Sequence, residues 1–201
     1  METEPLTIHE NGTFLSKPLL TSLPAIEQFP LDHLFYLSNE LAIRIHNLIF
    51  CTPEYQTILA STLGTPIITE PDPRWIPEMS EVIFYFLDHI CSSSNVHVMT
   101  ILYAFCLMFK ALSIIPERLH THPVLIIDES NLGSFLMSAV ILANKQLEDH
   151  PYTNKCWAQF FDIDTTALNT AEIVFLLHLD FSAAISPEDI VSVQSQLTHL
   201  R

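Results

Sequence analysis

From Leu31 onward, apolar side chains recur three or four residues apart at Leu34, Leu37, Leu41, Ile45 and Leu48. That spacing lines one face of an α-helix and predicts an amphipathic helix ending near Phe50, ahead of Pro53. The preceding residues, 1–30, carry Pro5, Pro18, Pro24 and Pro30 among scattered polar residues, with no sustained period, and read as an extended or disordered leader. Pro66, Pro71, Pro73 and Pro77 break the stretch that follows, so Gly64 to Pro77 is expected to be a loop and the main internal boundary. From Met79 the pattern is helical throughout, with hardly any two-residue alternation. Met79–Cys91 is a short apolar-rich helix, and Asn95–Leu112 is apolar on nearly every face, the mark of a helix enclosed by others. Asp128–Leu147 follows, bounded by Pro123 and Pro151. Thr153–Phe161 has Thr153 as its N-cap, and Asp164 caps Thr165–Leu179. Ser186-Pro187-Glu188-Asp189 opens a last helix with a hydroxyl cap, proline at the first helical position and carboxylates at the positive end of the dipole. The expected fold is all-α, about five bundled helices with flanking N- and C-terminal ones. Three segments are expected: a leader over 1–30, a helix and proline-rich loop over 31–77, and a helical domain with a short C-terminal helix over 78–201.

Composition narrows the choice of partner. An apolar fraction of 49% supplies a core and excludes disorder along the whole chain. Three glycines argue against glycine-rich, phosphate-cradling loops. Eight Lys+Arg against 23 Asp+Glu give a formal net charge of −15, which repels nucleic acid and anionic membranes and favours a protein partner. The longest mostly apolar run, Val98 to Phe109, is about two-thirds of a bilayer crossing, so no membrane segment is expected. The acidic start Met-Glu-Thr-Glu is unlike a basic leader peptide. Cys51, Cys91, Cys106 and Cys156 lie far apart without a CxxC pair, and read as reduced, mostly packed thiols. A cytosolic or nuclear protein is the expectation.

Two charges are out of place. Glu172 shares a helical stripe with Leu168, Phe175, Leu176 and Leu179, where an unpartnered carboxylate is costly. Lys145 is the only Lys or Arg between Arg118 and Lys155, near the end of a helix made mostly of apolar residues. The two could form a buried ion pair or the polar centre of a protein interface. Equally, Lys145 could bind the last carbonyls of its own helix while Glu172 meets water at the stripe's edge. Ten histidines raise the question of a metal, but the densest group, His120 and His122 with Asp128 and Glu129, has neither helical HExxH spacing nor a cysteine partner. Cys106 lies in an apolar run, and Cys156 is expected to pack with Trp157, so neither suggests a nucleophile. No GxSxG, P-loop or dinucleotide motif is visible. No catalytic residue, metal or cofactor is expected.

Three consecutive segments sharpen this. Leu142-Ala-Asn-Lys-Gln-Leu-Glu-Asp149 is followed by Tyr152-Thr-Asn-Lys-Cys-Trp-Ala158, then by Leu168-Asn…Glu172…Phe175-Leu…Asp180-Phe-Ser. In this order and spacing, closing on Ser186-Pro187-Glu188, they resemble the cyclin box, most of all the branch holding cyclin Y and the fungal phosphate-regulation cyclins. The resemblance covers Met79 to Asp189 and is tightest from Leu132 to Glu188. It implies a five-helix box whose third and fifth helices pack on the αC helix of a cyclin-dependent protein kinase. Lys145 and Glu172 then stand at the family's kinase-contacting lysine and glutamate. Leu132, Phe135, Leu136, Ala139, Leu168 and Phe175 line either that platform or the core beneath it. A protein of this kind supplies no chemistry; it biases a kinase toward its active state. A cyclin-fold adaptor that binds another protein without activating a kinase is the alternative. Several positions depart from the family. Its first-helix arginine and second-helix aspartate fall near His89 and near Phe109-Lys110, so both members of a commonly buried pair are absent. Asn144 replaces its usual serine. Past Glu188 there is room for one short helix, so a second five-helix repeat and its docking roles are not expected.

Overall fold

The computed structural model describes residues 30–64, 71–94, 96–119, 125–128 and 130–198. Residues 1–29 of the expected leader, and His120, His122 and Glu129 of the histidine cluster, lie outside the described residues. Among those described there are eight helices and no strand: α1 (Leu31–Cys51), α2 (Pro53–Leu63), α3 (Trp75–Ser93), α4 (Val98–Arg118), α5 (Leu132–Leu147), α6 (Asn154–Phe161), α7 (Thr165–His178) and α8 (Pro187–Thr198). The fold is all-α, as the hydrophobic period predicts.

The apolar period of α1 buries Leu34, Leu37, Leu41, Ile45 and Leu48 against α3 and α4. α1 runs antiparallel to α3: Phe35 meets Phe84, while His46 and Phe50 meet Trp75. α4 is the hub, packing on α1, α5 and α8, which is why it is apolar on nearly every face. Its 21 residues are long and apolar enough to cross a bilayer, beyond what the shorter apolar run suggests. Yet 72% of its most apolar window is buried against the other helices.

Several boundaries differ from the expectation. α2 is a helix with no predicted counterpart; Pro53 begins it, where the missing N–H costs nothing, and Gly64 ends it in the left-handed region at φ 67°. α3 starts at Trp75, so Pro77, read as loop, sits in a first turn whose amides have no helical partner anyway. α4 runs on to Arg118, with Pro116 tolerated near its end. α5 starts at Leu132 rather than Asp128, because Asp128 folds back to hold the turn before it. Thr153 and Asp164 cap α6 and α7 as expected, accepting from the Cys156 and Ala167 amides.

All four cysteines are free, but Cys51 and Cys156 are exposed. Cys156 lines a shallow surface pocket together with Trp157, and its sulfur accepts from the Thr153 hydroxyl at the α6 cap. Burial pushes the Cys91 thiol up to about 11 and the Cys106 thiol to about 12, making both poor nucleophiles. No group of three potential metal ligands occurs among the described residues.

Candidate functional site

α5 and α7 pack together, with Phe135 meeting Phe175 (ring centroids 5.4 Å apart) near the start of α5 and Lys145 meeting Glu172 near its end. Between them, small residues Ser134, Ser138 and Ala171 leave an open groove of about 200 Å3, with Phe135 and Phe175 in its floor and Val174 in one wall. Leu125 and Ile126 form its far rim. That rim is held by two sets of hydrogen bonds. The Asn131 amide donates to the Ile126 carbonyl at 2.7 Å, and Asp128 accepts from the Ser130 and Asn131 amides. Beneath it, the buried Tyr55 hydroxyl accepts from the Ile127 N–H at 2.7 Å and donates to the Ile127 carbonyl at 3.4 Å. Burial pushes this phenol up to about 12, so it remains a donor.

At the other end lies a polar node. The Lys145 ammonium donates to Glu172 Oε1 at 2.6 Å. Asn154 Nδ2 donates to Glu172 Oε2 at 2.5 Å and to Asn169 Oδ1 at 2.7 Å. Glu172 is 7% exposed, while the Lys145 side chain keeps 34% of its surface in water. The carboxylate thus has both oxygens engaged inside the fold, and the ammonium keeps donors for a partner. Of the arrangements left open by spacing, the ion pair is the one that forms. Neighbouring Asn144 is buried, and its Oδ1 accepts from the Tyr152 N–H at 3.0 Å. This amide is long enough to tie the end of α5 to the approach to α6.

The exposed side of α7 is unusually apolar. Ile173, Leu177 and Phe181 follow one another four residues apart, with Val174 alongside, and all four are exposed. Phe181 is 66% exposed and lies at φ 55°, after Asp180 at φ 50°. This left-handed pair ends α7, with the Phe181 N–H donating to the Leu176 carbonyl at 2.8 Å. Two non-glycine residues at positive φ need outside support, and Arg118 supplies it. Its guanidinium grips both Asp180 carboxylate oxygens and donates to the His178 carbonyl at 2.9 Å. Arg118 holds the Asp180 carboxyl below the usual carboxylate range.

The apolar residues picked out by spacing are core. Leu132, Leu136, Ala139 and Leu168 are buried beneath the groove, and Phe135 and Phe175 form its floor with little surface exposed. Spacing missed the exposed row on α7, because only packing reveals which apolar side of a doubly apolar helix stays open. It also missed Asn154, Asn169 and Tyr55. Asn169 lies three residues before Glu172, a spacing that could have flagged it. At the altered family positions, His89 stacks on Phe160 of α6 (5.4 Å, 28°), and the Phe109 ring carries the Arg44 guanidinium of α1 at 4.4 Å. Lys110 donates to the carbonyls of Ser182 and Ala184, each at 2.9 Å.

Comparison with known proteins adds three findings. The cyclin family model matches residues 77–183. PHO85 cyclin-2 of Saccharomyces cerevisiae is 28% identical over 112 residues, which is 55% of this chain and 34% of the yeast protein. The chain thus spans about a third of the length of that relative. No solved structure matches. The family match runs from the first turn of α3 past the end of α7 and takes in more than half of the 201 residues, so the chain belongs to the cyclin family.

Proposed function

We propose that this protein is a regulatory subunit that binds and activates a cyclin-dependent protein kinase, with no catalytic chemistry of its own. The observation that carries the reading is the Lys145–Glu172 pair at one end of the open α5–α7 groove, beside an exposed apolar row. An amphipathic helix such as the kinase αC could lay its apolar side along Val174, Ile173, Leu177 and Phe181 and its polar end on Lys145. In this arrangement Leu132, Leu136 and Leu168 set the spacing of the platform from below, while Phe135 and Phe175 meet the partner through the groove floor. A kinase is active when its αC glutamate reaches the active-site lysine. A rigid surface that binds only the inward αC shifts that equilibrium without touching substrate. The name of the yeast relative supports a partner of this class, since it is called a cyclin of PHO85.

The test is co-expression with PHO85, comparing wild type with Lys145→Ala, Glu172→Ala and Val174→Asp. Each substitution should weaken complex formation by tenfold or more, about 1.4 kcal/mol or above, and lower kinase turnover in parallel. Normal binding by all three would refute the platform. One observation favours a second reading, an adaptor that binds without activating. The family's usual pair on the first two box helices is replaced by contacts to α1 and α6. A stable purified complex whose kinase turnover equals that of the free kinase would select it.

A further inference from the structure

Glu172 is held on two sides, and the second side comes from a helix that the proposed platform does not otherwise use. Thr153 caps α6 and so places Asn154 at its first helical position. From there the Asn154 amide aims both hydrogens across to α7, one at Glu172 Oε2 (2.5 Å) and one at Asn169 Oδ1 (2.7 Å). Two acceptors on one side fix the amide's orientation, since the flipped form would set oxygen against oxygen. The arrangement leaves Asn154 Oδ1 buried with no partner. An unmet acceptor costs free energy, and what the fold gains in return is a carboxylate locked in one orientation.

We infer that Asn154 is a positioning residue for partner binding: it pins the Glu172 carboxylate so that Lys145 presents its remaining N–H donors in one fixed direction. The inference rests on the platform reading above and adds α6 to it. Without Asn154 the carboxylate can rotate and draw the lysine with it, and the partner must then order both side chains on binding.

A carboxylate at this position gives the sharpest probe. Asn154→Asp sets a second acid against Glu172; two carboxylates this close repel each other when both are ionised, so the pair takes up one shared proton more readily than a lone carboxylate as pH falls. The shared proton replaces the lost N–H donor. The charged groups hydrogen-bonded at the node are Lys145 and Glu172, and Asn169 is neutral. Affinity for PHO85 should be measured from pH 8 to pH 5.5 on the full chain, for wild type, Asn154→Asp, Asn154→Ala and the double variant Lys145→Ala/Glu172→Ala. Asn154→Asp should bind about tenfold more weakly than wild type at pH 8 and recover most of that loss at pH 5.5. Asn154→Ala should be weakened equally at every pH. In parallel, the denaturant midpoint of free Asn154→Asp should approach that of wild type as pH falls. A pH-independent Asn154→Asp effect, or none, with the double variant still weakened, overturns the role of Asn154 and leaves the platform standing. Unweakened binding by the double variant overturns both. Should wild type fail to bind PHO85, the partner reading falls, and a midpoint gap that does not change with pH then overturns the role of Asn154 as well.

Discussion

His178 shows how one buried side chain ties stability to pH. It lies at the end of α7, 1% exposed, with Nε2 donating to the Ala111 carbonyl of α4 at 2.9 Å. A carbonyl only accepts, so Nε2 carries a proton; Nδ1 is buried with no partner, so nothing there rewards a second one. Burial lowers its pKa most, and the nearby Arg118 charge adds to this against the opposing pull of the Ala111 bond. Below the unfolded value of roughly 6.5, the unfolded chain binds a proton that the folded chain refuses. The contribution is therefore complete above about pH 6.5 and is lost as pH falls below it, at up to about 1.4 kcal/mol per unit. His178→Gln keeps an N–H donor without titrating. Urea melts from pH 7.5 to 5 should show a shallower loss of stability in this variant than in wild type, and equal slopes would refute the assignment. At the same scale, the sequence marked Glu172 as misplaced because its stripe is otherwise apolar. It could not supply the partners, which come from α5 and α6, 27 and 18 residues away in the chain.

Among the elements, two tyrosines act as latches between helices and irregular backbone. Tyr103 of α4 accepts from the Ile185 N–H at 3.1 Å and donates to the Ala183 carbonyl at 3.0 Å, fixing the approach to α8. Tyr55 of α2 makes the same exchange with both backbone groups of Ile127. Tyr55→Phe keeps the ring but leaves a buried N–H and C=O unmet, which costs about 1–3 kcal/mol. Hydrogen exchange at the Ile127 amide should speed up while amides in α4 keep their rank relative to the global unfolding limit. An unchanged Ile127 rate would show that the latch does not hold the groove rim. α2 was not legible in the sequence, because its period is short and its burial is confined to Tyr55 and Leu59. α1 and α4 were legible because their burial repeats over about four turns or more.

For the whole molecule, the question is whether α1 is an appendage or part of the cyclin fold. Its buried row enters the same core cluster as the residues of α3, α4 and α5. Leu41, with no exposed surface, is the test position. Leu41→Ala should cost about 2–5 kcal/mol. If α1 shares the core, near-ultraviolet signals from Trp157 of α6, read in a Trp75→Phe background because Trp75 itself packs on α1, and total helicity should fall in one coincident transition, at a lower denaturant midpoint. A separate early transition confined to part of the helicity would mark α1 as an independent unit. In the complex proposed above, the net charge of −15 would act at this scale, through the rate at which the partner is met more than through the strength of the complex.

The sequence by itself determined the helical class, most of the helix positions and the two charges that do not belong on apolar stripes. Each of these is a local property, carried by three- and four-residue spacing, caps and prolines within a single segment. Its three motif segments also carried the family, because they hold that family's residues in register. Only the tertiary structure decided that Lys145 and Glu172 pair, that Asn154 joins them, and that the picked-out leucines are core while Ile173, Leu177 and Phe181 stay open. The physical reason is that α7 is apolar on both sides, and periodicity cannot tell a side facing the core from one facing water. That choice is made by which neighbouring helices arrive to cover it.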